Sequence, residues 1–397
     1  MDAGERSRAR FVAGDPLRAI AAFGVLFGHT FAFALSVSGH SDLVGQVVPG
    51  IGWLKWPVAA GPELVFLFFA LSGYLIGRPF IRAFVEGTEF PSPTRYLKHR
   101  FLRIVPAYWV VLTIALFWIA LPSKPLGAVV EAYFFLLDWY QSPIEGALAQ
   151  AWTLRIEMRF YLALPIVAAG CIWVARAAGP RLGRTARCWI VIGLALAWGV
   201  GAVVITGGEN PFTNGAGVLQ AAFAFAPGLV FAGIELLPFR AESVRRPIVA
   251  YTAGAAVVVA GSLWLYPWVE FLNTDIMKFR FREMLLLSMI LGGLLIWQWS
   301  GRRTWVVLDN PVMRWFGSRS YGIYLLHLLV LAKLSEPLAQ GDGYKRTFVV
   351  LLPATLLVTG LAAELLHRLV ERPALSLKDV PVREWRLPIG KNRRPSD

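Results

Sequence analysis

The sequence predicts an all-α integral membrane protein, a polytopic bundle of about ten transmembrane helices with both termini in the cytoplasm. Three observations predict this fold class. Of the 397 residues, 56% are hydrophobic and only 16% are charged, against about 25% charged residues in soluble domains. Apolar stretches of the roughly 17–25 residues that cross a bilayer recur along the chain. Lys and Arg also alternate between rich and poor connecting segments, as the positive-inside rule describes.

Ten apolar segments account for the predicted spans. They lie at 16–36, 57–77, 104–121, 153–175, 188–206, 216–236, 248–266, 283–300, 320–334 and 347–367. With the N-terminus inside, the inner connecting segments carry 28 Lys and Arg and the outer ones carry seven. Omitting one span would invert every later segment and remove this asymmetry, so the charges favour ten helices.

Three regions follow from these spans. Residues 1–15 form a predicted cytoplasmic N-terminal segment, 16–371 the transmembrane domain, and 372–397 a loosely ordered cytoplasmic tail. The segment 122–152 contains two prolines and a short apolar run, and we expect it to be interfacial or re-entrant on the outer side.

The net charge of +14 is explained by the basic inner segments, so the expected partner is the lipid bilayer and not a nucleic acid. Only two cysteines and five scattered histidines are present, which argues against a metal site.

The first helix carries the leading candidates for chemistry. Asp15 is a suitable N-cap and Pro16 suits the first helical position. Arg18 and His29 are eleven residues apart, so they share one helix face about 16 Å apart along the axis. Arg18 near the cytoplasm is equally explained as a snorkelling anchor. His29, beyond the midplane, suits proton transfer, and the alternative is a hydrogen-bonded packing histidine.

Other polar residues of the spans are functional candidates because such groups are costly in a membrane. Glu63 lies at a depth similar to that of His29, and Ser72 and Tyr74 follow in the same span. Close helix packing explains Ser72 equally well. Arg100 and Arg103 belong to the densest basic cluster, which suits either anionic lipids or a phosphorylated donor.

Two further groups lie at the outer start of the fourth span and along the ninth span. Trp152, Glu157 and Tyr161 begin the fourth span, and Glu157 and Tyr161 share a face. A salt-bridged interfacial turn is the alternative for this group. In the ninth span, Ser320, Tyr324 and His327 form one polar stripe.

Taken in order, these segments resemble the acyltransferase-3 family of membrane O-acyltransferases. The resemblance rests on the following motifs: Arg18-x10-His29, Glu63-Leu64, Leu71-Ser72-Gly73-Tyr74-Leu75-Ile76, Arg100 to Tyr108, Trp152-Thr153-Leu154-x-x-Glu157-x-x-Phe160-Tyr161, Ser320-Tyr321-x-x-Tyr324-Leu325-Leu326-His327 and Glu371-Arg372-Pro373. They cover nearly the whole chain. The resemblance implies transfer of an acyl group, commonly acetyl, from cytosolic acyl-CoA to a hydroxyl of a carbohydrate or glycosylated acceptor.

The resemblance also implies roles. His29 is the catalytic candidate and Arg18 is associated with the donor. We expect Arg18, Arg100 and Arg103 to hold the CoA phosphates, and His29 to deprotonate the acceptor or carry the acyl group. Glu157, the second catalytic candidate, or Glu63 would orient His29. The remaining acceptor-side or supporting candidates are Glu63, Ser72, Tyr74, Trp152, Tyr161, Ser320, Tyr324 and His327.

The expected acceptor is a sugar, a lipid-linked sugar or a glycosylated small molecule, and no metal is expected. The expected location is a bacterial cytoplasmic membrane. The same intramembrane charges suit a proton-coupled transporter or flippase, although no inverted repeat with broken spans is evident. A membrane scaffold or sensor would explain the spans but not the set of motifs.

Overall fold

The fold is helical throughout the part of the chain that the computed structural model describes. That part comprises residues 11–43, 61–118, 126–134, 148–177, 182–207, 217–238, 246–265, 276–300, 310–341 and 343–380. It contains no β-strand. The main helices are α1 Gly14–Val37, α2 Phe66–Glu86, α3 Pro93–Trp118, α4 Trp152–Ala177, α5 Arg184–Ile205, α6 Ala222–Ile234, α7 Pro247–Leu265, α8 Ile276–Trp299, α9 Pro311–Leu334 and α10 Tyr344–Leu366.

Each predicted span overlaps one of these ten helices, which confirms the predicted helical bundle. Among the described residues, seven helices are long and apolar enough to cross a membrane, and α6 and α7 contain shorter apolar stretches. Helix α9 has 24 residues but carries Arg314, Arg319 and Lys333. Large apolar side chains such as Phe117, Ile166 and Ile205 are exposed, as expected for surfaces that contact lipid.

Several helices begin earlier than their apolar segments. Helix α3 starts at Pro93, where the Ser92 hydroxyl accepts the Arg95 N–H at 3.4 Å, so the basic run Arg95–Arg103 is helical. Helix α9 starts at Pro311 because the side chain of Asn310 caps it by accepting the Met313 N–H at 2.9 Å. Hydropathy does not detect these polar first turns, although their caps are ordinary helix-start residues.

Asp15 does not cap α1, so that prediction is wrong. The helix begins at Gly14 without a side-chain cap. The carboxylate of Asp15 instead accepts a hydrogen bond from Arg18 at 3.1 Å, which places both residues on the first turn of the helix.

The described part of the tail is ordered by α3, contrary to the expected loose order. A π-helical turn, His367–Glu371, leads into a short helix, Arg372–Ser376. Asp379 then pairs with Arg95 at 3.1 Å. Residues 381–397 lie outside the described residues, and the boundary of the tail at Arg372 stays a prediction.

Only parts of the segment 122–152 are described. A short helix, Leu126–Tyr133, is attached to α3 because Tyr108 Oη donates to the Ala132 carbonyl at 2.8 Å. A 3₁₀ turn, Ala149–Ala151, precedes α4. Residues 135–147 lie outside the described residues, so re-entry into the membrane stays a prediction.

Helices α2 and α6 pack with their backbones in contact. A Cβ atom on Gly73 would lie 2.3 Å from the Phe225 carbonyl oxygen, and one on Gly228 would lie 2.2 Å from the Ala70 carbonyl oxygen. Small residues permit such close approach in membranes. This contact fixes the rotation of α2 about its axis. It therefore also fixes the direction of Ser72, the residue that precedes Gly73.

We expect Gly73→Ala to destabilise the protein by about 1–3 kcal/mol, the usual cost of overpacking a tight core. The matched control is Gly193→Ala in α5, where an added Cβ meets no atom within 4 Å. Thermal unfolding in detergent measures both variants. Equal melting temperatures for Gly73→Ala and Gly193→Ala would contradict the close packing of α2 on α6.

Candidate active site

A cavity of about 320 Å³ lies between α1, α2, α3, α4 and α9. Its wall includes eight of the thirteen residues that the sequence singled out: Arg18, Ser72, Arg100, Arg103, Glu157, Tyr161, Ser320 and Tyr324. These residues come from five helices, yet they meet at one site. The cavity is therefore the main candidate for a binding site.

The charge of the cavity is predominantly positive. Three guanidinium groups line it, whereas Glu157 is the one carboxylate in its described wall. Arg18 pairs with Asp15 at 3.1 Å. Arg100 and Arg103 form no ion pair with any described residue, and Nε of Arg100 is buried without a hydrogen-bond partner. Because guanidinium groups in a membrane need counter-charge, the cavity is suited to an anion.

Glu157 and Ser72 form a close pair in the cavity wall. Ser72 Oγ donates to Glu157 Oε1 at 2.5 Å. The next residue, Gly73, makes the packing contact with α6. Ser72 thus faces the cavity, whereas its neighbour Gly73 provides the close helix contact that was the alternative explanation for Ser72. The guanidinium of Arg100 lies 6.0 Å from the ring centre of Tyr161 on the same wall.

The cavity is elongated along α2. Its wall on this side runs from Val65 to Ile76, which is eleven residues and about 16 Å at helical rise. Helix α1 runs antiparallel to α2, since Gly28 packs against Pro62 and Gly24 packs against Leu64. His29 therefore lies level with Pro62, about one helical turn beyond the Val65 end of the cavity. The arginines lie toward the opposite, predicted cytoplasmic, end.

His29 and His327 form a pair just beyond the cavity. His29 Nδ1 lies 3.1 Å from His327 Nε2, and the ring centres are 5.2 Å apart. His327 Nδ1 lies 2.7 Å from the Tyr324 carbonyl oxygen, and His327 is buried. Sequence reasoning placed both histidines inside the membrane but did not pair them.

The hydrogen bonds of this pair define its tautomers. A carbonyl oxygen only accepts, so His327 Nδ1 carries a proton and donates it to Tyr324. With both rings neutral, His327 Nε2 has a lone pair and accepts from His29 Nδ1. His29 Nε2 is then the unprotonated nitrogen of its ring. This nitrogen is available as a base.

Tyr324 connects the cavity to the histidine pair. Its hydroxyl is held by Thr153 Oγ1 at 3.0 Å and donates to the Gln150 carbonyl at 3.1 Å. The ring of Tyr324 faces the cavity, while its carbonyl holds His327. Tyr324 is thus fixed at both ends.

Glu63 belongs to a separate buried ion cluster. Arg280 Nη1 lies 2.5 Å from Glu283 Oε2 and 3.7 Å from Glu63 Oε2. The Arg280 guanidinium also lies 5.0 Å from the ring centre of Phe223. Neither Glu63 nor Glu157 hydrogen-bonds His29, so the expected carboxylate partner of His29 is replaced by the imidazole of His327.

Tyr74 and Trp152 lie outside the cavity wall. Tyr74 Oη donates to Glu235 Oε2 at 3.1 Å, and Glu235 also pairs with Arg78 at 2.5 Å. The Trp152 ring packs edge-on against Phe69 at 6.3 Å between centres. Both residues position helices around the cavity without touching it.

Sequence reasoning also missed residues of the wall. Thr153 and Tyr321 belong to the quoted motifs but were given no role, and Phe68 lies outside them; all three line the cavity. Helical spacing alone would have placed Phe68 one turn from Ser72, on the same face. Among the described residues, no group of three His, Cys, Asp or Glu is positioned to hold a metal ion.

Comparisons with known proteins point to one family. The family model described as "Acyltransferase domain" matches residues 14–364. A peptidoglycan O-acetyltransferase of Listeria monocytogenes is 25% identical over 327 residues, which cover 77% of this chain and 50% of the relative. A Bacillus subtilis protein provisionally named as a peptidoglycan O-acetyltransferase is 24% identical, with 77% and 49% covered. The chain thus spans about half the length of these relatives. No solved structure matches it significantly.

Proposed function

The chain belongs to the acyltransferase-3 family, and from that premise we propose that it is a membrane O-acyltransferase that uses acyl-CoA. It is an integral, multi-pass membrane protein of bacterial type, as its apolar helices and its relatives indicate. The observation that carries the proposal is that an arginine-lined cavity leads toward a histidine that can act as a base. The cavity suits the donor, and His29 Nε2 suits activation of a hydroxyl.

The donor is proposed to be an acyl-CoA, acetyl-CoA in the first instance. Its phosphates bind Arg18, Arg100 and Arg103, because guanidinium groups bind phosphate oxygens in bidentate fashion. The unpartnered Nε of Arg100 supplies a donor that such an anion satisfies. The extended pantetheine arm has a length comparable to the 16 Å or so between Arg18 and His29 along α1.

Glu157 is proposed to bind the donor instead of orienting His29. It lies in the cavity wall and is hydrogen-bonded by the side chains of Ser72 and Tyr161. A carboxylate at this place accepts an amide N–H of the pantetheine arm. Tyr161 and Ser320 line the same stretch and offer further hydroxyls to the arm.

The chemical step is proposed to occur at His29. Its Nε2 takes the proton of the acceptor hydroxyl while the hydroxyl oxygen attacks the thioester carbonyl. The carbon–sulfur bond breaks, and the imidazolium returns the proton to the CoA thiolate. His327 stabilises the imidazolium because its Nε2 accepts from His29 Nδ1. Transient transfer of the acyl group to His29 Nε2 is the second route with the same products.

The acceptor is proposed to be a sugar hydroxyl, because both relatives are named for O-acetylation of peptidoglycan. Lipid-linked sugars and glycosylated small molecules present the same hydroxyl chemistry. The acceptor approaches His29 from the predicted outer side of the membrane, whereas the donor comes from the predicted cytoplasmic side.

The direct test uses purified full-length chain in nanodiscs with acetyl-CoA labelled in the acetyl group. De-O-acetylated glycan strands and a lipid-linked disaccharide serve as acceptors. We expect the label to appear on an acceptor as an alkali-labile ester, with equimolar release of CoA. Transport of intact sugar into proteoliposomes without ester formation or CoA release would instead show the competing transporter.

Arg100→Gln is expected to raise the KM for acetyl-CoA about 10- to 100-fold, because a hydrogen bond to a charged group contributes about 1.5–3 kcal/mol. Arg95→Gln is the control on the same helix, since the Arg95 side chain is exposed and pairs with Asp379. Initial rates at several acetyl-CoA concentrations separate KM from kcat. An unchanged KM in Arg100→Gln would exclude Arg100 from donor binding.

A further inference from the structure

An aromatic pair, Phe68 of α2 and Tyr324 of α9, lies in the cavity wall near its outer end. The ring centres lie 5.9 Å apart in an edge-on arrangement. Both rings line the cavity. The ring of Tyr324 lies 5.7 Å from that of His327 on its other side. The pair therefore lies between the arginines and the histidines, where the donor arm must pass.

The two rings differ in their freedom to move. Tyr324 is held through its hydroxyl by Thr153 and Gln150 and through its carbonyl by His327. Turning its ring would break the two hydrogen bonds of its hydroxyl. Phe68 has no polar group, is only half-buried and borders the open volume of the cavity. Rotation of Phe68 into that volume costs only van der Waals contacts.

Space beyond the pair is limited by close packing around α1. Leu64 packs directly on Gly24 and Pro62 packs directly on Gly28, at distances where a Cβ on either glycine would clash. His29 follows Gly28 in this tightly packed stretch. A long acyl chain would have to displace these contacts, whereas an acetyl group needs little room.

We propose that Phe68, opposed by Tyr324, narrows the donor cavity near its outer end and limits the acyl group that reaches His29 to a short one. The proposal rests on the proposed function, since it concerns the acyl-CoA of that reaction. Phe68 is a specificity-determining residue: its ring must turn aside for the thioester to pass, and the gap that it leaves sets the upper size of the acyl group. Tyr324 forms the fixed side of this gap.

The test compares kcat/KM for acetyl-, butyryl- and hexanoyl-CoA in the full-length wild type, Phe68→Ala and Phe68→Leu. We expect the wild type to prefer acetyl-CoA. Phe68→Ala should raise the hexanoyl-to-acetyl ratio at least about tenfold, in line with the discrimination that a few methylenes permit in an apolar pocket. Phe68→Leu, which preserves more of the packing, should raise the ratio to an intermediate value.

Leu75→Ala is the matched control, because Leu75 lines the opposite end of the same cavity. Enlarging that end should leave the chain-length ratio unchanged, whatever happens to the rate. A ratio in both Phe68 variants within twofold of the wild-type value would overturn the proposal. A wild type that transfers no acyl group from any acyl-CoA would instead overturn the proposed function, so the two failures are distinguishable.

Discussion

Acyl transfer should fall about 10²- to 10⁴-fold when His29 is replaced by alanine, the range by which a positioned general base accelerates a reaction. His29 Nε2 is the unprotonated nitrogen of the histidine pair, and alanine leaves no base in its place. His29→Gln should be equally inactive, because an amide cannot take the proton. The measurement is formation of labelled ester by detergent-purified protein whose thermal unfolding matches that of the wild type.

The control for this prediction is His40→Ala. His40 lies beyond the end of α1 and interacts with the Ser38 carbonyl and the ring of Tyr344. We expect it to transfer acetyl groups at the wild-type rate. A folded His29→Ala protein that retains full acyl transfer would exclude His29 from both the base and the acyl-carrier role.

Replacing His327 by alanine should lower kcat about 10- to 100-fold, which corresponds to the loss of one buried hydrogen bond. His327 is a positioning residue, since it acts by accepting the Nδ1 proton of His29. The KM for acetyl-CoA should stay unchanged, because the arginines that are proposed to bind the donor lie at the other end of the cavity. His327→Gln should recover part of kcat, as its side-chain oxygen accepts the same proton.

Steady-state kinetics of the two His327 variants test this assignment. A merely structural role would lower stability and affect kcat and KM together, with no recovery in His327→Gln. If His327→Ala raises KM by the same factor by which it lowers kcat, the result would argue against the hydrogen-bonded pair as the catalytic unit.

The spans were predictable because bilayer thickness imposes length and apolarity on each helix. The polar ends of the helices could not be predicted in this way, because hydropathy does not detect them. Helix α8 begins at Ile276, seven residues before its predicted span, which moves Arg280 from a predicted outer loop into a helix. Arg280 there meets Glu63, so a boundary error concealed the partner of a residue that had been singled out.

The candidate site was predictable as a set of residues but not as a geometry. Because polar groups in apolar helices are costly, they identified most of the polar residues of the cavity wall. The pairing of His29 with His327 joins residues 298 positions apart and depends on how α1 packs on α9. Gly317 permits that contact, since a Cβ there would lie 2.1 Å from the Asp15 carbonyl oxygen. No local spacing in the sequence encodes this approach.

Phe68 shows a second limit of sequence reasoning. Within an apolar helix, the neighbouring sequence of a phenylalanine is the same whether its ring faces lipid, the protein core or a cavity. Only the position of its ring opposite Tyr324 distinguishes Phe68 from Phe69, which is buried and stacks on Phe225 at 4.8 Å. A polar residue in a membrane span stands out in the sequence because its burial costs free energy. An apolar residue with a specific role has no such signal.

The most direct test of the connected donor cavity and histidine pair is a structure of the full-length chain with bound CoA. We expect the phosphates at Arg18, Arg100 and Arg103, the pantetheine arm beside Glu157, and the sulfur past a rotated Phe68 next to His29 Nε2. Phosphates bound away from these arginines, or a sulfur that lies far from His29 with the arm running elsewhere, would contradict the proposed site.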